Sequence, residues 1–464
     1  MKKPIIVMLL VLMASSVGAQ RVLTLEDCRA LARENNRELQ MASAAERSAY
    51  YQRKSAFTNY LPKVSASGGY LFTSREISLL NDEQKAALPH LGDVAGAQLG
   101  QMGQLIAAPL NAVGQGVVDA LRTDTRNAGA LAVTLTQPIY MGGKIRAYNK
   151  IARLAEEAAA DKREMAEQDV LVEVDETYWQ IVALTSKRKL AESYRALVAD
   201  LARDVDAMVA EGVATKADAL SVRVKVNQAD VALIQVDNGL SLLKMLLCQI
   251  IGLDPDTAIS LADEGAETLG PEETVEEAAG DWQTARPELR ALGKAAQVEK
   301  QRVNLALSET MPTVALTGGY FLTNPSLVNG FEKKFRNLWS VGVMVNIPIV
   351  TWGDRIYKVR KAQADAQIAE LRLDETREKI GLQVAQSRQK LAEARERLSA
   401  CRSAASVAEE NLRIATLGLS EGVIPVINVN EAQTAWLGAR SELIAAEIDL
   451  KLAGVYLRRA LGQM

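Results

Sequence analysis

The chain has 464 residues, of which 48% are hydrophobic and 24% are charged, and its formal net charge is −3. This balance gives no basic footprint for nucleic acid. A single histidine, His90, excludes a site built from several histidines, and Cys28, Cys248 and Cys401 lie too far apart for a CxxC motif. We therefore expect no nucleic-acid partner, no metal and no cofactor.

The first residues have the three parts of a secretory signal peptide. Lys2 and Lys3 form a basic start, residues 5–13 an apolar run, and residues 17–19 a small-residue cleavage site. The run is too short to span a bilayer, which takes about 20 residues. We expect residues 1–19 to be removed on export. Because no later stretch is expected to reach the spanning length, membrane passage is predicted to use strands.

The remaining sequence contains an internal duplication, because short motifs recur at constant spacing. Motifs around the first strand recur 250 positions later, and motifs from the second strand onward recur 210 positions later. The matching pairs are Pro62 with Pro312, Tyr70 with Tyr320, Pro138 with Pro348, Gly143 with Gly353, and Glu211-Gly212-Val213 with Glu421-Gly422-Val423. The difference of 40 places an insertion in the first copy. We predict a first repeat over 20–252, a linker over 253–285 and a second repeat over 286–464.

Each copy is predicted to contain a helix, a strand pair, a long helix, a turn and a returning helix. The first helix is expected over 24–59. Apolar and polar residues alternate with period two in four segments, which predicts strands. These segments are about 63–74, 129–139, 312–323 and 339–349. Each has about ten residues, the length that crosses a membrane at barrel tilt.

Two segments without proline predict unusually long helices. They cover about 142–209 and 353–419, and the returning helices cover about 216–251 and 427–462. At 1.5 Å per residue each long helix extends for roughly 100 Å. Apolar residues recur at steps of three and four, as in Leu171, Val174, Tyr178 and Ile181. This spacing indicates a narrow seam of the coiled-coil type.

Four strands cannot close a barrel in lipid, because an open sheet edge leaves backbone groups unpaired. Self-association is therefore expected. Two chains would give eight strands with a filled interior, whereas three would give twelve strands, which leave room for a lumen. Small polar side chains on one strand face favour the wider, water-filled barrel. The long helices would then continue the tube on the periplasmic side.

Specific segments agree with this layout. They are the strand end Gln137–Gly143 (QPIYMGG), its copy Asn346–Gly353 (NIPIVTWG), and the Glu-Gly-Val turns at 211–213 and 421–423. With the duplicated order and spacing, they resemble the TolC-like outer membrane factor family over nearly the whole mature chain. The resemblance implies a mainly α fold with membrane β: a trimer with a 12-stranded β-barrel continuous with a periplasmic α-helical coiled-coil tunnel.

The resemblance also implies function and partners. It implies the outer-membrane exit duct of a tripartite efflux pump or type I secretion system, and not an enzyme. Its expected partners are two further copies of the chain, a periplasmic adaptor (membrane fusion) protein, an inner-membrane pump or ABC exporter, and outer-membrane lipid.

Two turns interrupt the paired helices. They are Gly212-Val213-Ala214-Thr215 and Gly422-Val423-Ile424-Pro425. As geometry, each predicts a glycine C-cap followed by entry into the next helix. The resemblance implies that both are periplasmic tips that contact the adaptor. Thr215 matches the pattern of the family, but Pro425 departs from it, which puts equal binding by the two tips in doubt.

Residues just beyond the turns are candidates for a periplasmic aperture. The resemblance implies acidic residues there, and Asp218 matches, while the second copy offers Asn428 and Glu431. Rings of three Asp218 and three Glu431 would repel across an axis and bind cations. The alternative is that these are ordinary carboxylates near helix N-termini, where the helix dipole favours them.

Two further segments are given structural interpretations. Residues 253–285 contain many carboxylates and no lysine or arginine, which is typical of a solvated linker. The resemblance places this linker in a belt around the tunnel. The insertion is expected to be a long extracellular loop, with short helices within residues 92–116.

Another class of function stays open from the residues alone. A periplasmic adaptor or surface scaffold would also carry long coiled-coil helices. An adaptor is expected to have a compact barrel or lipoyl-like module between them, whereas this sequence shows four lipid-suited strands. No GxSxG, HExxH or P-loop occurs in a suitable setting, so an exported hydrolase is not indicated.

Overall fold

A computed structural model describes residues 21–74, 80–121, 125–265, 282–326, 328 and 332–464. The predicted signal peptide and residues 266–281 of the predicted linker lie outside this part of the chain. Two compact units are present. The helical unit comprises the described parts of 1–51, 153–299 and 365–464, and the sheet unit those of 52–152 and 300–364.

Within the described residues the first copy has nine α-helices and β-strands, besides two short 3-10 helices at Thr58–Tyr60 and Leu88–His90. In chain order they are β1 (Arg21–Leu23), α1 (Leu25–Asn35), α2 (Arg37–Phe57), β2 (Lys63–Phe72), α3 (Asp82–Ala87), α4 (Leu91–Ala120), β3 (Asn127–Met141), α5 (Lys144–Ala210) and α6 (Lys216–Ile250). The second copy repeats the order of helix, strand pair, long helix and returning helix. Its elements are β4 (Ile259–Leu261), α7 (Trp282–Ala285), α8 (Pro287–Ser308), β5 (Thr313–Asn324), β6 (Arg336–Asn346), α9 (Asp354–Ser420) and α10 (Val426–Leu461).

The expectation of one helix over 24–59 was wrong, because the helix breaks at Asn36. This residue has an extended backbone, with ψ at 130°. Its side-chain oxygen accepts hydrogen bonds from the N–H groups of Glu38 and Leu39, at 2.8 and 3.2 Å, and so caps α2. Its side-chain nitrogen donates to the carbonyl oxygen of Ile250 at 2.9 Å. The Asn36 side chain therefore bonds to backbone groups at the start of α2 and at the end of α6.

The two long helices are continuous, and each has 67 residues. The predicted seam of α5 is buried, with Val174, Tyr178 and Ile181 fully inaccessible to solvent. Tyr178 also contacts Trp179 edge to face, with 5.4 Å between ring centroids. The main core cluster forms where this seam meets α1, β4, the end of α6 and Ile448 of α10.

All three cysteines are free and buried. Burial raises the pKa of the Cys28 thiol to about 12, and burial likewise raises the pKa of Cys248. Cys248 is completely buried, so it is a packed core residue.

Helix α6 corrects the expectation that no later stretch reaches membrane-spanning length. Among the described residues it is long and apolar enough to cross a bilayer. Only 11% of its most apolar 18-residue window is buried. Its outward apolar residues are separated by steps of three, four, seven and eight. They are Leu220, Val224, Val231, Ile234 and Leu242. The hydropathy of α6 thus comes from an exposed stripe.

Polar contacts link each long helix of the helical unit to the next in the order α6, α5, α10, α9. Arg188 of α5 pairs with Asp237 of α6 at 2.5 Å. Arg459 of α10 donates to Gln168 of α5 at 2.8 Å. Arg397 of α9 pairs with Asp449 of α10 at 2.9 Å. Helices α5 and α10 therefore each contact two long neighbours through such bonds.

The four long strands form one antiparallel sheet with the order β2-β3-β5-β6. The β3–β5 pairing joins the two copies. Within the described chain, β2 and β6 each have one neighbour, so the sheet has two free edges. Strand β3 is longer than expected, and β6 ends before Pro348, which has no N–H for a ladder.

A second, two-stranded sheet falls inside the segment that was interpreted as a solvated linker. Strands β1 and β4 pair in parallel, and Ile259 and Leu261 are buried. Asp263 accepts a hydrogen bond from the Tyr178 hydroxyl at 2.6 Å, and Glu264 pairs with Lys244 at 2.8 Å. Residues 259–265 are therefore packed structure, because their carboxylates have partners on α5 and α6.

Candidate channel face and helix turns

The two faces of the large sheet differ in chemistry along whole rows of paired residues. One face has two adjacent small and polar rows: Lys63, Thr136, Thr317 and Gly342, then Ser65, Thr134, Gly319 and Ser340. The next row on this face contains Phe321 and Leu338. The opposite face has apolar rows: Val64, Leu135, Gly318 and Val341, then Ala66, Val133, Tyr320 and Trp339. Such a sheet suits water on one side and lipid on the other.

The apolar face has no cover within the described chain. Trp339 is 71% exposed and Val341 is 68% exposed. The polar face has its own cross-strand bonds, including a 2.8 Å contact between the hydroxyls of Ser65 and Thr134. Large apolar side chains are left in water unless the sheet lies in a membrane or against other protein.

The first turn closes α5 with a Schellman-type arrangement. Gly212 has φ of +80°, a conformation that glycine adopts without steric cost. The N–H of Val213 donates to the carbonyl oxygen of Met208 at 2.9 Å. The Val213 side chain is 72% exposed, whereas Ala214 packs against a core cluster shared by four long helices. This turn presents one isolated apolar side chain to solvent.

The second turn repeats that geometry with a different start to the next helix. Gly422 has φ of +71°, and the N–H of Val423 donates to the carbonyl oxygen of Gly418 at 2.8 Å. Val423 is 79% exposed, while Ile424 lies against Gly418. Pro425 is the N-cap of α10 and makes no side-chain capping bond.

Thr215 and Asp218 form a reciprocal capping box at the start of α6. The Thr215 N–H donates to the Asp218 carboxylate at 2.9 Å, and the Asp218 N–H donates to the Thr215 hydroxyl at 3.2 Å. Hydrogen bonds from the side chain and backbone of Thr215 lower the pKa of Asp218. The cap is complete above the ordinary pKa of a carboxyl group, and it is lost as pH falls through the lowered value.

The other two predicted aperture residues lie on the first turns of α10. Asn428 and Glu431 are exposed, and the Asn428 N–H donates to the Pro425 carbonyl oxygen at 3.1 Å. A spacing of three puts them on neighbouring positions of one helix face. The structure brings the two turns together through the core cluster that contains Val222 and Val429. The hydrogen bonds of the Asp218 carboxylate stay within its own turn.

Two buried polar residues close to the predicted aperture residues were missed by the sequence interpretation. Asn430 is 9% exposed and Gln433 is 2% exposed. Within the described chain their side-chain carbonyl oxygens are buried without a hydrogen-bond partner. Uncompensated burial of a polar group costs stability. Their i,i+3 spacing on the α10 face shared with Val426 and Val429 was the available signal.

The outer helices α6 and α9 carry exposed apolar stripes. On α9 the successive residues are separated by 3, 11, 25, 7 and 3 positions, which places all of them at heptad positions a, d or e. They are Ile368, Leu371, Leu382, Val407, Ile414 and Leu417. Such spacing is typical of a seam that packs against another helix. Helices α6 and α9, which carry these stripes, are the first and the last helix in the order of polar contacts described above.

The chain is similar in sequence to a known protein family and to individual known proteins. The sequence profile of the family described as "Outer membrane efflux protein" matches residues 29–252 and 280–463. Protein CyaE of Bordetella pertussis is 25% identical over 342 residues, 72% of this chain and 70% of that protein. Outer membrane efflux protein BepC of Brucella suis is 24% identical over 352 residues, 74% of each chain.

The fold is also that of a solved structure. The outer membrane protein VceC of Vibrio cholerae aligns with a TM-score of 0.75 at 17% identity, covering 94% of this chain and 96% of that one. The profile match spans both copies and omits most of the linker between them. The chain belongs to the outer membrane efflux protein family.

Proposed function

We propose that three copies of this chain form a passive duct through the outer membrane, fed by an inner-membrane pump or ABC exporter through a periplasmic adaptor. The observation that carries the proposal is the sheet, which has one apolar face, one small polar face and two free edges. Four strands per chain become twelve in a trimer, a number that leaves a lumen. The edge groups of β2 and β6 then pair between neighbouring copies, as lipid requires.

The helical unit supports the same assembly. Helices α6 and α9 carry different apolar stripes, so the stripe of one copy fits against a stripe that is not its equivalent. A heterologous contact of this kind generates a closed ring when the rotation closes. Covering Ile234 and Leu382, which are 61% and 60% exposed, removes apolar surface from water in each contact.

The assembly is tested on protein extracted from the outer membrane in mild detergent. Unheated samples are expected to migrate on a gel as a trimer and heated samples as a single chain. Reconstituted protein is expected to pass ions in planar bilayers. A species that stays single-copy in lipid, or a soluble periplasmic species, would contradict the duct and favour the scaffold alternative.

Deleting residues 78–123 is expected to leave trimer formation intact. The strands that this segment joins are already paired at Phe72 and Asn127, so a short loop connects them. The proposed interfaces use sheet edges and helix stripes, which the deletion does not touch. The unheated trimer band is the measurement, and wild-type protein prepared in parallel is the control. Loss of the trimer would show that the segment is needed for assembly.

The exposed turns are the proposed contact with the adaptor. Gly212, Val213, Ala214 and Thr215 form the first tip, and Gly422, Val423, Ile424 and Pro425 the second. Each tip offers one valine to solvent on a rigid, capped turn, which supports docking of a partner with little ordering cost. Because only the first tip has a side-chain cap, we expect the two tips to make different contacts.

Asp218, Asn428 and Glu431 are the proposed aperture. Replacing Glu431 by lysine is expected to change single-channel current in planar bilayers, or its dependence on divalent cations, because three carboxylates become three ammonium groups near the axis. The control is Glu442→Lys, an exposed position on the same helix about 16 Å farther along. Equal currents in wild type, E431K and E442K would remove Glu431 from the aperture.

A further inference from the structure

The inserted segment between β2 and β3 contains helices within residues 92–116, as expected, and they form a helical hairpin. Helix α4 reverses at Gly100, with φ +60° and ψ −137°, into two arms, 91–99 and 101–120. We call these arms the outer hairpin. They approach closely, because a Cβ at Gly92 would lie 2.0 Å from the carbonyl oxygen of Ala107. The Gly92 N–H also donates to the side chain of Asn111 at 2.6 Å.

The second arm has an apolar face that the first arm does not cover. Small and polar residues point to the first arm, including Gly103, Ala107 and Asn111. A neighbouring face carries residues separated by four, three and four positions. They are Ile106, Leu110, Val113 and Val117, all exposed. This is the spacing of a helix-packing seam, and between 37% and 62% of each of these residues remains exposed in the described chain.

The charged residues of the outer hairpin indicate which kind of partner covers this seam. Residues 86–121 contain Asp93, Asp119 and His90 but no lysine or arginine. Surfaces that bind anionic lipid headgroups carry clusters of basic residues. The outer hairpin lacks them, and its carboxylates would be repelled by such headgroups. An apolar helix of the same kind is a better match.

The position of the outer hairpin indicates that this helix comes from another copy of the chain. It follows β2, a free-edge strand, and it lies at the sheet end where β2 finishes and β3 begins. In a ring closed through the sheet edges, all copies of the outer hairpin surround one mouth. Rotational symmetry then lets identical seams meet at the axis. At 1.5 Å per residue the second arm extends for about 30 Å, long enough to reach inward.

We propose that the seams of the three outer hairpins pack against one another and form a helical cap over the outward-facing mouth of the duct. The occupant of each seam is the same seam of the other copies. This inference rests on the proposed trimer, but the trimer does not rest on it, because the deletion described above is expected to assemble. The cap adds a constriction at the mouth that the outer hairpins surround.

Cysteine cross-linking tests the cap. Val113→Cys and Val117→Cys place thiols in the seam, while Ala108→Cys is the matched control. Ala108 is exposed on the same arm, and two residues before Leu110 it lies 200° around the helix. Purified trimers are oxidised, or treated with a short bis-maleimide, and analysed after heating. Wild-type protein controls for Cys28, Cys248 and Cys401, which are buried.

We expect covalently joined copies from either seam variant at about tenfold the yield of A108C, because tethered copies meet at an effective concentration near the millimolar range. An intact trimer that yields no seam cross-links, as expected if the seam lies on lipid, overturns the cap and leaves the duct standing. Equal yields from seam and control positions also overturn it. Absence of a trimer in wild-type protein overturns both proposals together.

Discussion

Replacing Asp175 by alanine is expected to destabilise the protein by about 3–5 kcal/mol, the range measured when one partner of a buried ion pair is removed. Asp175 is fully buried on α5. It accepts two hydrogen bonds from Arg29 of α1, at 2.7 Å from Nε and 2.5 Å from Nη2. Arg458 of α10 lies 4.0 Å away. The carboxylate therefore joins three helices of the helical unit.

The loss of stability arises because the Arg29 guanidinium stays in place after Asp175 is removed. Burial of the Arg29 guanidinium opposes its charged form, but hydrogen bonds and charge from Asp175 and Glu26 together outweigh this and raise the pKa of Arg29. Without Asp175, a guanidinium that is 16% exposed keeps its charge and loses its bidentate acceptor. The measurement is loss of helical circular dichroism on heating or in urea, in detergent.

The control for this variant is Asp206→Ala, which removes an exposed carboxylate paired with Arg223 at 3.1 Å. Exposed pairs contribute about 0–1 kcal/mol, so this variant is expected to melt close to wild type. The double variant Arg29→Met, Asp175→Leu is expected to recover much of the loss, because neither charge of the Arg29–Asp175 pair is left without its partner. A single D175A variant as stable as D206A would refute the assigned role of the pair.

Placing a carboxylate on both turn tips, as Val213→Asp with Val423→Asp, is expected to abolish export while leaving the trimer intact. Both valines are exposed in the chain, so aspartate costs little there. In a docked complex the same carboxylate would be buried against the adaptor without a partner, at a cost of about 2 kcal/mol or more per contact. That cost corresponds to a tenfold or greater loss of coupling at each tip.

The measurement is sensitivity of cells to a panel of dyes, detergents and antibiotics, compared with a strain that lacks the channel. The shape-matched control is the double threonine variant, which keeps the branched side chain without a charge. It is expected to retain most export. Unheated gels verify assembly of both variants. Wild-type export by an assembled double aspartate variant would show that the tips do not dock against the adaptor.

Local and periodic signals in the sequence predicted much of the fold. The recurrence of Pro62 at Pro312 and of the Glu-Gly-Val turns predicted two similar copies, and both copies have the same order of elements. Period-two alternation predicted the strands, since a half-solvated sheet needs unlike faces. Steps of three and four along α5 predicted its buried seam. These signals are local, so one sequence is enough to detect them.

The errors came from features that depend on distant residues. The break at Asn36 requires the carbonyl oxygen of Ile250, which lies far away in sequence. Strand β4 is only three residues long and exists because β1 pairs with it. In the outer hairpin, the contact of Gly92 with Ala107 depends on the reversal at Gly100. No periodic pattern of one segment contains this information.

The candidate sites divide in the same way. The turn geometry at Gly212 and Gly422 was predictable, because a glycine between two helices favours a left-handed C-cap. Which side chain of each turn faces solvent was not. Asp175 was visible only as an acidic residue four positions after Leu171, on the same face as the apolar seam.

The sequence by itself determined the duplication, the alternating strands, the long helices and the capped turns, because each follows from spacing along a continuous segment. Only the tertiary structure decided the strand order, the row-by-row separation of polar and apolar sheet faces, the two free edges and the partners of Asp175. These depend on which distant segments meet. That selection is made by the burial of apolar surface and the satisfaction of backbone and charged groups across the whole chain.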